Sequence, residues 1–354
     1  MKYISLFFII SIFLFSCKEP SYTLYIGTYT KGDSEGIYRA EFNPESGKLT
    51  NLTLAIPTEN PSFLSYSPNK KYIYAVGEEN DGTVAAFEIE KNKQLKLLNR
   101  VKSFGGAPCH ISVNNEGTLV VASNYVGGNV ALYNIKPDGS LNEASQIFDH
   151  NTEIEKSHAH SAQFVNNQLY VADLGRNAMY LYESENLKPF TLSSSSMITF
   201  TENAGPRHFT FTKDKQFLYI INEYASTITT AKKQGNTYLT LNHTNTLSEN
   251  YDGQNSCADI HLSKDERFLY GSNRGENTIA VFKRDTSTGK LQKIQNMSVH
   301  GDWPRNFTID PTGKFLLVAN KKSNNISVFK IDSNSGKLEF TNDFHAPTPV
   351  CLLF

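Results

Sequence analysis

One short pattern returns along this chain and limits what it can fold into. A proline or small residue opens a short apolar strand. A turn rich in Asn, Asp or Gly follows, then a second strand ending near Ala-Asn, then a third. Pro61, Pro108, Pro206 and Pro304 open four copies. The first two lie 47 residues apart and the later ones 98 apart, so each long gap hides a further copy, beginning near His158 and at Cys257. The second strands align as Tyr72 to Val76, Leu119 to Ser123, Leu169 to Asp173, Phe217 to Ile221, Phe268 to Ser272 and Phe315 to Ala319. Third strands follow, as in Thr83 to Phe87, Asn129 to Tyr133, Thr278 to Phe282 and Ile326 to Phe329. Several copies then turn through Gly-Lys-Leu, at Gly289 and at Gly336, into a fourth. Four short strands in a unit of roughly 40 to 50 residues is the signature of a β-propeller blade.

Six full copies leave both ends over. Pro349 to Phe354 reads as a first strand with nothing after it. Tyr22 to Thr28, Gly36 to Phe42 and the segment from Gly47-Lys48-Leu49 read as second, third and fourth strands with nothing before them. Joining them completes a seventh blade and removes an open sheet edge, which would otherwise invite pairing with another chain. The expectation is an all-β, seven-bladed β-propeller over residues 22–354, its last blade closed by the C-terminal strand together with the N-terminal strands.

Residues 1–16 stand apart from that domain. Lys2 precedes an apolar run from Ile4 to Phe15, too short to span a bilayer core of roughly 30 Å and shaped like an export signal. The run ends Leu14-Phe15-Ser16-Cys17, which resembles a bacterial lipobox. That implies lipidation at Cys17, a short linker over 17–21, and a membrane-anchored lipoprotein of the cell envelope. A cleaved soluble secretory signal is the alternative. The remaining cysteines, Cys109, Cys257 and Cys351, have no paired or CxxC-like spacing and read as small buried residues. Lys and Arg total 34 against 35 Asp and Glu, with no long basic run, which argues against nucleic acid as a partner.

In a propeller the first strand of each blade lines the central channel, so equivalent positions form rings. The residue after the opening proline gives Ser62, Cys109, Arg207, Ala258 and Arg305. The next gives Phe63, His110, His208, Asp259 and Asn306, and His160 falls near this ring from the irregular third copy. The residue just past the second strand gives Glu78, Tyr125, Glu223, Arg274 and Lys321. Such a gathering suits an anionic or polyhydroxylated small molecule: Arg offers a rigid fork of donors, and His and Glu move protons near neutral pH. Plainer readings stand beside it. Arg207 or Arg305 can simply pair with a carboxylate of the next blade, His110 and His208 can be hydrogen-bonded core imidazoles, and Glu78 and Lys321 read as solvated rim. His158 and His160 could ligate a metal, but no third ligand is placed by sequence, so no metal or cofactor is expected.

Gly205-Pro206-Arg207-His208, Asn222-Glu223, His160-Ser161 with Val171 to Gly175, Asp259 to Ser263, Ser272 to Gly275 and Pro304 to Phe307 resemble the seven-bladed propeller lactonases. That family includes a type of 6-phosphogluconolactonase and is related to the carboxy-muconate lactonising enzymes. The resemblance covers Tyr22 to Phe354. It implies hydrolysis of a sugar-derived lactone, with His160, Arg207 and Glu223 as the catalytic set and Arg274 on the same rim. On this reading His160 or Glu223 activates water, Arg207 meets the oxyanion, and Arg274, Arg305, His208 and Asp259 contact substrate. A muconate-type cycloisomerase and a non-catalytic envelope binding propeller are the alternatives.

Overall fold

The computed structural model describes residues 21–186, 189–193, 198 and 200–354. The export signal and Cys17 expected from the sequence lie outside the described residues. Among these there is no helix, and 28 strands form seven four-stranded antiparallel sheets. The first strands of successive sheets meet one another around a closed circle, so the sheets stand as blades about a common channel.

Blade 1 is the composite one. Pro349–Leu353 pairs antiparallel with Tyr22–Thr28, which continues through Gly36–Phe42 to Leu49–Pro57. Blades 2 to 7 then begin at the strands Leu64–Tyr66, Pro108–Val113, Ala159–Val165, Pro206–Phe211, Ser256–Leu262 and Pro304–Ile309. Blade 4 is the irregular one, its outer strand reduced to Thr191–Leu192.

Burial explains why the strands read as they do. Phe315–Asn320 and Phe217–Asn222 are buried at every position, because a second strand has a neighbouring blade on both faces. The outer strand Leu338–His345 alternates instead, with one face packed and the other wet. Seven apolar clusters result, one in each blade-to-blade seam; Leu24, Ile26 and Phe42 of blade 1, for example, pack on Phe315, Leu317 and Val328 of blade 7. The Gly-Lys-Leu turns belong to these seams. Gly289 has φ 76°, a conformation that favours glycine, and a Cβ there would collide with the Phe217 ring of blade 5. The Tyr219 hydroxyl donates to the Gly289 carbonyl at 2.9 Å, so an aromatic pair in one blade reads the turn of the next.

Candidate active site

The channel-lining strands share a local irregularity that aims their side chains. Pro206 opposes Asn222 and His208 opposes Ile221, which leaves Arg207 as an extra, bulged residue. His160, Arg305 and Cys109 are the extra residues at the matching place in blades 4, 7 and 3. A bulge bends its strand and re-aims one side chain. His160 therefore belongs to the ring of Arg207 and Arg305. His110, His208 and Asn306 follow it one step further down the channel, and Asp259 joins them from a wider bulge in blade 6.

On one mouth of the channel this ring meets the residues just past the second strands. Glu223 is the junction. Its Oε2 lies 2.8 Å from an Arg274 terminal nitrogen and 3.0 Å from Arg207 Nε, although the latter contact lacks the alignment of a hydrogen bond. Arg207 also donates to the Ala258 carbonyl, and Arg274 donates to the carbonyls of Ser256 and Cys257 at 3.1 and 2.8 Å. The arginine side chains are 2% and 5% exposed and Glu223 15%, so the carboxylate and not its partners faces the opening. Burial pushes the Glu223 carboxyl up, but Arg274, Arg207 and Arg305 outweigh it and hold it below the usual range. Burial, with Arg274 adding repulsion, lowers Arg207 to about 10, which leaves it charged at neutral pH.

His160 is buried and contacts Cys109, whose thiol donates to the His160 carbonyl at 3.3 Å. Burial, the positive charges of Arg207, Arg305 and Arg274, and the repulsion that a second proton on neighbouring His208 would meet hold its pKa well below that of free imidazole, so it is neutral at pH 7. Tyr125 meets the His160 ring edge to face at 5.7 Å, and His158 stacks on Tyr125 at 4.4 Å while its Nδ1 donates to the Tyr125 carbonyl at 2.9 Å. The His158-Ala159-His160 pair is thus divided between two tasks. Among the described residues no three His, Cys, Asp or Glu side chains are placed to hold a metal ion.

His208 and Asp259 lie beneath this layer, both buried, and are paired with each other at 2.7 Å through His208 Nδ1. Asp259 also accepts from Asn306 Nδ2 at 2.6 Å, from His261 Nε2 at 3.0 Å and from the backbone amides of Ile260 and Phe307. It ties blades 5, 6 and 7 together at the hub. Burial, reinforced by Arg207, drops His208 to about 4. With its Nδ1 proton given to Asp259, the buried His208 Nε2 has no partner, and the rings of His110, His160 and Phe63 close around it at 5.5, 5.2 and 5.7 Å.

The rim expectation for Glu78 fails. Its side chain is 15% exposed, both its oxygens lie 2.8 Å from the Tyr29 hydroxyl, and Arg305 approaches at 3.7 Å. The cause is that blades 2 and 7 flank blade 1, so the Arg305 guanidinium, stacked 5.4 Å over Tyr29 of blade 1, draws the carboxylate inward. Tyr29 was missed although it is the residue just past the second strand of blade 1, the same register as Glu78 and Glu223. Trp303 was missed as well. It stands between Arg274 at 5.4 Å and Lys322 at 3.5 Å, at a left-handed φ of 68°. A bulky residue held there costs of order 1–3 kcal/mol and persists only when its surroundings over-determine it. Nothing in the strand periodicity marks such a loop residue.

A closed seven-bladed ring with a cationic, carboxylate-bridged site at one channel mouth defines the class of protein. The family model described as "Lactonase, 7-bladed beta-propeller" matches residues 23–354, and the chain belongs to that family. It is 32% identical over 302 residues to a 6-phosphogluconolactonase of Bacillus subtilis, covering 82% of this chain and 86% of that one. It is 34% identical over 312 residues to a 6-phosphogluconolactonase of Formosa agariphila, covering 82% and 87%. Among solved structures, a periplasmic gluconolactonase of Pseudomonas aeruginosa superposes with a TM-score of 0.90 at 26% identity, covering 94% of this chain and 99% of that one.

Proposed function

We propose that this protein hydrolyses a sugar-derived lactone at the Glu223 mouth of its channel. The observation that carries the reading is the ion-paired chain Arg207, Glu223, Arg274 beside a neutral, buried His160. The ion pairs divide the roles. A carboxylate engaged by two guanidinium groups is not free to take up a proton, so Glu223 positions Arg207 and Arg274. His160, uncharged near neutral pH, takes the proton of the attacking water. Hydroxide adds to the lactone carbonyl and the oxyanion forms against Arg207, a donor worth about 10²–10³ in rate. The tetrahedral adduct then breaks its ring C–O bond, and the departing oxygen takes the proton back from His160. The new carboxylic acid ionises, releasing one proton per turnover. Arg274 and Arg305 hold substrate oxygens, while His208 and Asp259, buried below, set the floor of the site.

The relatives named as 6-phosphogluconolactonase and gluconolactonase support this reaction class. The periplasmic address of the Pseudomonas protein, together with the signal-like N-terminus, supports export to the cell envelope. Lipidation at Cys17 is the finer proposal; a Cys17→Ser protein that stays in the membrane fraction would exclude it.

The direct test is a panel of aldonolactones, phosphorylated and neutral, followed by proton release. Wild-type protein should turn over at least one, and Arg207→Ala should lose about 10²-fold or more in kcat with its fold intact by circular dichroism. Near wild-type turnover in the variant removes Arg207 from the mechanism. Turnover of a muconate with no lactone hydrolysed overturns the reading altogether.

A further inference from the structure

His160 meets Cys109 by register. Both are the extra, bulged residues of their channel strands, in neighbouring blades 4 and 3, so their side chains come together at one level of the channel. The Cys109 sulfur lies 3.3 Å from the His160 carbonyl oxygen and 3.8 Å from Nδ1 of the His160 ring. A further acceptor, the Ala159 carbonyl, stands at 3.9 Å. Cys109 is 4% exposed and His160 3%, so these contacts form away from bulk water.

A thiol has one proton to give. Burial, with Glu78 adding repulsion, pushes the Cys109 thiol well up, so at pH 7 it is a neutral S–H. The His160 carbonyl oxygen can only accept and is the nearest acceptor, so the S–H points there. That leaves the sulfur lone pairs toward Nδ1. A bare Nδ1 would set lone pair against lone pair, whereas a protonated Nδ1 meets a weak acceptor. Neutral imidazole carries one N–H, so a proton on Nδ1 leaves Nε2 as the basic nitrogen. His160 Nε2 has no hydrogen-bond partner among the described residues and, unlike His208 Nε2, is not sealed from the channel. His208 shows the same polarity one step below, with Nδ1 held by Asp259 and Nε2 left over. There the holder is a carboxylate; beside His160 it is a neutral thiol, which orients the ring without adding a charge that would keep a proton on it.

We infer that Cys109 is a positioning residue for the reaction: by donating to the His160 carbonyl and accepting from Nδ1–H, it fixes the imidazole in the Nδ1–H tautomer and presents Nε2 to the attacking water. This rests on the lactonase reading and deepens it, by naming the nitrogen that moves the proton. The water proton passes to Nε2, the ring becomes imidazolium with Nδ1–H still on sulfur, and the Nε2 proton then goes to the departing ring oxygen. The opposite tautomer would offer a donor where the first step needs an acceptor. Blades 5 and 7 carry Arg207 and Arg305 at the bulge that Cys109 occupies in blade 3. A donor-only side chain of that kind beside His160 would force Nδ1 to accept and turn the tautomer round.

Long-range proton–nitrogen NMR on the purified protein with isotope-labelled histidine reads tautomers at pH 7 and needs no substrate. The His160 signals, identified by their loss in His160→Gln, should show a protonated, pyrrole-like Nδ1 and a bare, pyridine-like Nε2. Cys109→Ala removes both sulfur contacts and should move the two nitrogens toward a mixed-tautomer shift. Cys109→Ser, whose hydroxyl both donates and accepts, should keep the wild-type pattern. Cys109→Val, which fills the space without donor or acceptor, repeats the test should the Ala variant not fold. In proton-release assays on an aldonolactone that the wild type hydrolyses, the Ala variant should lose about twofold to tenfold in kcat with KM unchanged, the range for one net hydrogen bond, and Ser should restore most of it. A packing role alone would leave the nitrogen shifts in place and make Ser, the more polar residue in a buried position, no better than Ala. A pyridine-like Nδ1 in wild-type protein, or an unchanged tautomer in the Ala or Val variant, overturns the inference. If no lactone is turned over the hydrolytic reading fails, while the nitrogen shifts still decide the tautomer.

Discussion

Replacing Glu223 by Gln separates a positioning carboxylate from a catalytic base. The substitution keeps the shape and removes the charge that faces Arg207 and Arg274. Removing one member of a buried ion pair costs about 3–5 kcal/mol. Here both arginines keep backbone acceptors at Ala258, Ser256 and Cys257, and the carboxylate is 15% exposed, so the loss should be about 2–3 kcal/mol at pH 7. Its pH dependence follows from the depressed Glu223 pKa. A carboxyl that ionises more readily folded than unfolded stabilises the protein above the unfolded value, near 4.3, and loses that contribution as pH falls through the folded value. Urea unfolding of both proteins should therefore show the full gap at pH 7 and a shrinking one below about pH 4. A gap that stays constant with pH refutes the ion-pair account. In the activity assay kcat should fall about 10- to 100-fold, as expected for misplaced arginines, while the pH profile keeps the limb due to His160. A fall of about 10⁴ together with loss of that limb would make Glu223 the base and refute the assignment to His160.

Two further predictions concern stability. Removing residues 349–354 should cost far more than a frayed terminus, since Val350, Cys351 and Leu352 are 1%, 2% and 5% exposed and each contributes roughly 1.5–3 kcal/mol. That total rivals the roughly 5–15 kcal/mol that holds a whole domain together, so the melting temperature should drop by more than about 10 °C, and a drop under about 2 °C would mean that closure contributes little. The buried imidazoles predict acid sensitivity. His160 and His208 are held neutral, His208 with a pKa of about 4, so their share of stability is complete above the unfolded value near 6.5 and is lost as pH falls toward 4. Thermal unfolding from pH 7 down to 4.5 should show this, and His208→Gln should flatten the slope; an identical slope in the variant removes His208 from the account.

Much of the fold was legible because a blade is a local object. The apolar run Phe315 to Ala319, the Gly336 turn and the recurring prolines are signals within a few dozen residues, and closure followed from counting strands at the two ends. The site was legible only as far as repeats convert sequence separation into spatial neighbourhood. Arg207, Glu223 and Arg274 were aligned correctly by copy, whereas Glu78 was taken for rim because its partner Arg305 is 227 positions away in the sequence and comes near only when the ring closes through blade 1. The bulge that places His160 level with Arg207 could not be read either, since an extra residue in a strand leaves the apolar pattern almost intact.

The order of residues by itself determined that seven modules form, where each begins, and which termini must meet, because hydrophobic period and turn chemistry act over short distances. Tertiary structure alone decided the protonation states and partnerships at the mouth. Those depend on charges brought together from different blades and on how much water each group loses, and both are set only when the ring is closed.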